Sequence, residues 1–283
     1  MTKETYPPTI RLLWILFAAY ALATFIFPFL PIPPFVYAGV LVVLGCIFAL
    51  IHGTLRYGAR GMIIFIILCL VISYILENLS IQIGFPFGFY HYTSDLGPKL
   101  FAVPILIGPA YFSTGYLSWV ISNVLLDKAD SKLESLNIFA LPFVASFIMV
   151  MWDVVMDPSS STIKHLWIWD KGGGFFGVPL SNYLGWFLTV YLFFQAFALY
   201  LVKRPKAISV KMPQSYWYQA VLLYLVIGLG FIASFLAGMP GNSVDVTGVV
   251  WSQQAIRESS VILSLYTMCF VSILALFRIK KYK

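Results

Sequence analysis

Charge is what this chain has least of. Only 10% of its 283 residues are Asp, Glu, Lys or Arg, against about 25% in a soluble domain. With 60% apolar residues, that shortage excludes an ordinary soluble fold. Cysteine is also scarce. Cys46, Cys69 and Cys269 lie singly inside apolar runs, which excludes a thiol redox pair or a zinc-ribbon ligand set. His52, His91 and His165 lack the paired spacing of a metal site, so no metal is expected. No P-loop and no Gly-x-Gly-x-x-Gly behind a strand occurs, so no cofactor is indicated. The net charge of +7 is spread over short loops and the tail. Without a basic patch it argues for no nucleic acid partner.

Long hydrophobic runs fill the space that charge leaves. About 20 apolar residues cross a bilayer. Runs of that kind lie near 10–30, 35–52, 61–83, 101–125, 138–157, 179–202, 215–238 and 254–277. The fold class expected is therefore all-α: a polytopic transmembrane bundle of about eight spans. No soluble block interrupts the runs, so one integral domain over 1–283 is expected. The first run leads into the Pro28 to Pro34 turn and reads as a span, not a cleaved leader. With eight spans, the termini and even-numbered connectors hold 14 of the 18 Lys and Arg. The other side holds only Lys99, Lys164, Lys171 and Arg257. Positive-inside asymmetry then puts both termini in the cytoplasm, in a multi-pass protein of the cell membrane.

Against this background a few polar residues stand out. Asp153 and Asp157, in Trp152-Asp-Val-Val-Met-Asp157-Pro158, are one helical turn apart on one face. An ionised carboxylate in hydrocarbon costs at least about 2.5–3.5 kcal/mol. Asp157 stands before a proline, a common way to leave a helix, so it reads as scaffold and Asp153 as chemist. Glu77 shares a helical face with Ser73 and Ser80; the bland alternative is a polar link between helices. Two aromatic connectors, 84–100 and 158–178, carry glycines and prolines that suggest caps folded over a cavity. An interfacial aromatic belt accounts for part of them. The eight-span map puts both connectors, Glu77, Asp153, Asp157, Asn182 and Trp186 at one end of the bundle. A single intramembrane Asp-x-x-x-Asp, with no second copy, disfavours diphosphate chemistry.

Four stretches carry a resemblance. They are Glu77 with Gly84-Phe-Pro-Phe-Gly-Phe-Tyr-His-Tyr92, Leu96-Gly-Pro98 to Val103-Pro104, Trp152-Asp153 with Asp157-Pro158, and Trp167-Ile-Trp169 with Phe176-Gly-Val-Pro179 and Asn182 to Trp186. Together, over residues 74–190, they resemble integral membrane carotenoid-biosynthesis proteins. That family includes bisanhydrobacterioruberin hydratases and γ-carotene 1′,2′-hydratases. The resemblance implies a hydrophobic carotenoid substrate within membrane lipid, and addition of water to the terminal double bond of an acyclic end group. Such hydration needs a proton, a tertiary carbocation and water, without a redox cofactor. An acid protonated in an apolar setting suits it. On that chemistry Asp153 is expected as proton donor and Glu77 as the group that orients water or shares the proton. Asp157, Asn182 and His91 are expected as the polar network, with Trp152, Tyr90, Tyr92 and Trp186 lining the cation. A cation-type cyclase or isomerase, or a non-catalytic pigment carrier, fits the same residues. Product mass separates them.

Overall fold

A computed structural model describes residues 8–127, 133–203 and 212–280. Lys3, Lys128, Lys132, Arg204, Lys206, Lys211, Lys281 and Lys283, which contribute to the charge map, lie outside them. Helices dominate, because a backbone in lipid must satisfy its own hydrogen bonds. They are α1 (Pro8–Ile26), α2 (Pro34–Ile83), α3 (Ile107–Leu125), α4 (Asn137–Pro158), α5 (Leu180–Val202), α6 (Gln214–Ala237), α7 (Gln253–Ser264) and α8 (Phe270–Ile279). A π-helical turn, Leu265–Cys269, joins α7 to α8.

Six helical segments are long and apolar enough to cross a membrane: Pro8–Phe29, Pro34–Ile83, Asn137–Ile163, Leu180–Val202, Gln214–Ala237 and Gln253–Ile279. The chain is thus a multi-pass membrane protein. Two of the expected spans are one 50-residue element, α2, broken at Gly58 (φ 69°, ψ 165°). That backbone is comfortable only for glycine. The chain folds back there, since Gly53 lies against Met62. Both arms run beside α3: Cys46 Sγ donates to the Pro109 carbonyl, and Gly108 lies against Leu70 and Tyr74.

α3 is too polar to count among the six by composition, because it carries Ser113, Thr114, Ser118, Ser122 and Asn123. Every residue from Tyr111 to Val124 is buried. Packed against α2, α4, α6 and α8, it needs no lipid-facing stripe. Its polar side chains bond back to carbonyls of their own helix, as Ser118 does to Thr114 (3.0 Å) and Asn123 to Trp119 (2.7 Å). A cluster of Phe65, Trp119 and Phe197 packs beside it, with ring centroids 4.7–5.3 Å apart.

Two local expectations are corrected. The fourth apolar run begins as a hairpin, not a helix: β2 (Lys99–Leu100) pairs with β3 (Val103–Pro104). The chain also does not leave its helix at Asp157–Pro158. It continues through Pro158 into a π turn, Ser159–Ile163, and the wider turn accommodates a residue that lacks an N–H.

Three two-stranded pairs cap one end. Besides β2–β3 they are β1 (Tyr90–Tyr92) with β4 (Trp167–Trp169), and β5 (Asn242–Val244) with β6 (Val250–Ser252). Lys99 Nζ donates to the Tyr92 carbonyl (2.6 Å), tying the first two pairs. Gly172 packs on Thr247 and Gly177 near Trp251, tying in the third. All three connectors fold into a lid over the same end of the bundle.

Candidate active site

Strand geometry decides which aromatics face inward. Successive side chains alternate faces, and β1 pairs antiparallel with β4 in the register Tyr90↔Trp169, His91↔Ile168, Tyr92↔Trp167. Tyr90 and Tyr92 are therefore buried while His91 is exposed. Tyr-x-Tyr and Trp-x-Trp, far apart in sequence, become one aromatic face. Tyr90 packs on Trp169 (4.8 Å) and Tyr92 on Trp167 (5.9 Å). The turn before β1 is held from both sides. Ser80 Oγ donates to the Gly88 carbonyl (2.8 Å) and accepts from Phe87 N (3.0 Å). Gly185 of α5 lies so close to Pro86 and Phe87 that an added Cβ would meet them at 2.7–2.9 Å.

Under this face Glu77 receives three phenols. Tyr90 and Tyr92 donate to Oε2, Tyr92 at 3.0 Å, and Tyr111 donates to Oε1 at 2.8 Å. Burial and then the Glu77 carboxyl push the Tyr90 and Tyr92 phenols well above the ordinary tyrosine value, so both remain O–H donors. Asp153 and Asp157 share one donor: Asn182 Nδ2 lies 3.0 Å from Asp153 Oδ2 and 2.6 Å from Asp157 Oδ2. Asp157 Oδ1 also accepts from Trp167 Nε1 (2.8 Å), while Asp153 Oδ1 has no hydrogen-bond partner.

These groups close one end of a cavity of about 580 Å³. Glu77, Asp157, Asn182, Tyr111, Trp152 and Trp186 are on its wall. Its remaining wall is mostly apolar, from α1, the turn Phe27–Phe29 and α6, including Thr24, Phe27, Ile227 and Phe231. Lys164 and Arg257 also line it. Tyr111 stacks on Trp186 (4.2 Å, 5° between planes), and Trp152 meets the same indole edge-on at 5.8 Å.

Nearly all the expected residues meet here. Glu77, Tyr90, Tyr92, Trp152, Asp157, Asn182 and Trp186 line the cavity. Asp153 is buried behind the wall, reaching it through Asn182. His91 is not brought in. Its Nδ1 pairs with Asp170 (2.8 Å) on the outer face. Three residues absent from the expected site belong to it: Tyr111, Trp167 and Trp169. The Trp-x-Trp repeat in a glycine-rich connector signalled the last two. Tyr111 gave only a weak signal, a phenol among the hydroxyls of the most polar helix. Among the described residues no three His, Cys, Asp or Glu come together as a metal set.

The sequence pattern that defines a family of carotenoid biosynthesis proteins matches residues 37–252, from the first arm of α2 through β6. The chain belongs to this family. A carotenoid is a long apolar polyene, and a mostly apolar cavity inside a membrane bundle fits the family's work. Bisanhydrobacterioruberin hydratase of Haloarcula japonica is 31% identical over 118 residues, covering 41% of this chain and 38% of that protein. The chain thus matches well under half the length of this curated relative. No solved structure matches it.

Proposed function

We propose that this member of the family is a carotenoid hydratase that needs no cofactor. The observation that carries the reading is the carboxyl pair tied by Asn182, with Glu77 beside it, at the aromatic end of an otherwise greasy cavity. Two carboxyls that share one amide donor repel when both are ionised, so the pair carries one proton. Asp157 hands it on, because it lines the cavity, and Asp153 is its reserve. This moves the donor role from Asp153, the expected acid.

The alkene pair of the terminal isopropylidene group takes the proton on its CH carbon and forms a C–H bond. The tertiary carbon becomes cationic. Trp152, Trp186 and Tyr111 present ring faces, each worth about 0.5–2 kcal/mol to a cation. Water adds through oxygen to that carbon, and its spare proton returns to the carboxyl pair. Glu77, an acceptor of three O–H groups, orients the water and balances the cation's charge. The Haloarcula japonica relative, named a hydratase, supports the same reading.

The protein works as one integral domain of the cell membrane, with eight crossings and cytoplasmic termini. The two arms of α2 each cross, and α3 crosses inside a sheath of other helices. The test is expression in a lycopene-producing host with mass analysis of extracted carotenoids. A gain of one or two waters, lost in Asp157→Asn, is expected. Carotenoid of unchanged mass refutes hydration and leaves a cyclase or a carrier.

A further inference from the structure

Hydration needs water at a carbocation, yet the main cavity is largely apolar. A second pocket, of about 40 Å³, lies on the other side of the β1–β4 lid. One water needs about 10–15 Å³ and two to four polar partners. This pocket has both room and partners. Ser161, Thr162, His165 and Asp245 are on its wall. Ser161 Oγ is the closest link to the acid site, because it donates to the backbone carbonyl of Asp157 (2.9 Å). The hydroxyl therefore keeps its own lone pairs for water.

One residue lines both spaces: Trp169. The residue is 5% exposed and its ring packs on Tyr90. Its Nε1–H is directed at the Asp157 carboxyl, without the geometry of a well-formed hydrogen bond. A buried donor so loosely partnered is better satisfied by a bridging water. Trp167, two residues away on the same face, already bonds Asp157 directly.

We infer that the pocket of Ser161, Thr162, His165 and Asp245 stores the water of the reaction, and that Trp169 is the partition through which it reaches the cation. This rests on the hydratase reading. The hydrocarbon end then enters from the apolar side and water from the lid, so the slot stays dry until a cation forms.

The test separates cation formation from water capture. Membranes holding the full chain are given lycopene in deuterated water. The acid then delivers a deuteron and forms a C–D bond. The cation either takes up water or expels a proton and returns as labelled alkene. In Ser161→Val, which fills the pocket and removes its hydroxyl, hydrated product relative to labelled alkene should fall at least about tenfold, with total label within about twofold of wild type. Trp169→Phe, which deletes only the N–H side of the ring system, should lower the same ratio. Yield and a single elution peak in detergent certify that each variant is folded. An unchanged ratio in both folded variants overturns the water store and leaves the hydratase reading standing. A wild-type protein that adds no water overturns both.

Discussion

Asn182→Leu is the sharpest probe of the carboxyl pair. It removes one Nδ2–H₂ group that reaches Asp153 at 3.0 Å and Asp157 at 2.6 Å, and it roughly conserves volume. An interhelical hydrogen bond in a membrane bundle contributes about 0.6 kcal/mol on average and about 1.7 at most. Two such bonds between α5 and α4 give about 1–3 kcal/mol on that scale. The loss also strands two buried carboxyls, and each buried polar group left unsatisfied costs about 1–3 kcal/mol, more where it is charged. The second term is the larger, so a loss of about 3 kcal/mol or more is expected. The internal control is Ser181→Ala, which deletes a single neutral bond to the Phe87 carbonyl (2.8 Å), worth about 0.5–1.5 kcal/mol. Reversible unfolding in detergent, read by tryptophan fluorescence, measures both. Adding Asp153→Asn to Asn182→Leu should recover part of the loss, since an amide at 153 can donate to Asp157; coupling of about 0.5–3 kcal/mol is expected. If Asn182→Leu destabilises no more than Ser181→Ala, and the double variant shows no coupling, the shared-donor account is wrong.

Three further outcomes follow from the geometry. His91→Ala should leave both product yield and stability near wild type, because His91 and Asp170 side chains are 60% and 44% exposed and exposed pairs contribute about 0–1 kcal/mol; a large loss of product in the carotenoid extract would return His91 to the site. Gly185→Val should abolish folded protein, since even a Cβ there meets the Pro86–Phe87 backbone at 2.8–2.9 Å; normal detergent-extracted yield would refute the close packing of α5 on the lid. Burial raises the Asp245 carboxyl, but donors from Thr247, Trp251 and Val249 together outweigh it and hold the group below the usual carboxylate range. Its folded value is thus below its unfolded one, so its contribution to the β5–β6 lid is present above the ordinary aspartate value of about 3.9 and is lost as pH falls below it. Amide exchange at Thr247 and Val249 should quicken in that acid range and not between neutral and mildly acidic pH.

Most of the site was legible because its residues break a strong rule. A carboxylate in an apolar run is conspicuous, so Glu77, Asp153 and Asp157 stood out, and the two aromatic connectors announced a lid. Tyr111 did not stand out, because a tyrosine in a membrane helix is ordinary until a carboxylate is found 2.8 Å from its hydroxyl. His91 looked functional for the opposite reason. Its neighbours Tyr90 and Tyr92 point inward, and only the β1–β4 register reveals that it points out.

Composition and periodicity by themselves determined a polytopic helical bundle, because scarcity of charge and runs of spanning length leave few other ways to satisfy a backbone in lipid. They also determined that the costly carboxyls gather with the aromatic connectors at one end. Only the tertiary structure decided which residues reach the cavity. Of the two aspartates only Asp157 is on its wall, with Asn182 of α5 bonded to both. Which aromatics line it depends on pairing two strands more than 70 residues apart, from His91 to Ile168. Where the chain turns depends on one backbone angle at Gly58. These are matters of register and packing between distant segments, and a local pattern of residue types does not encode them.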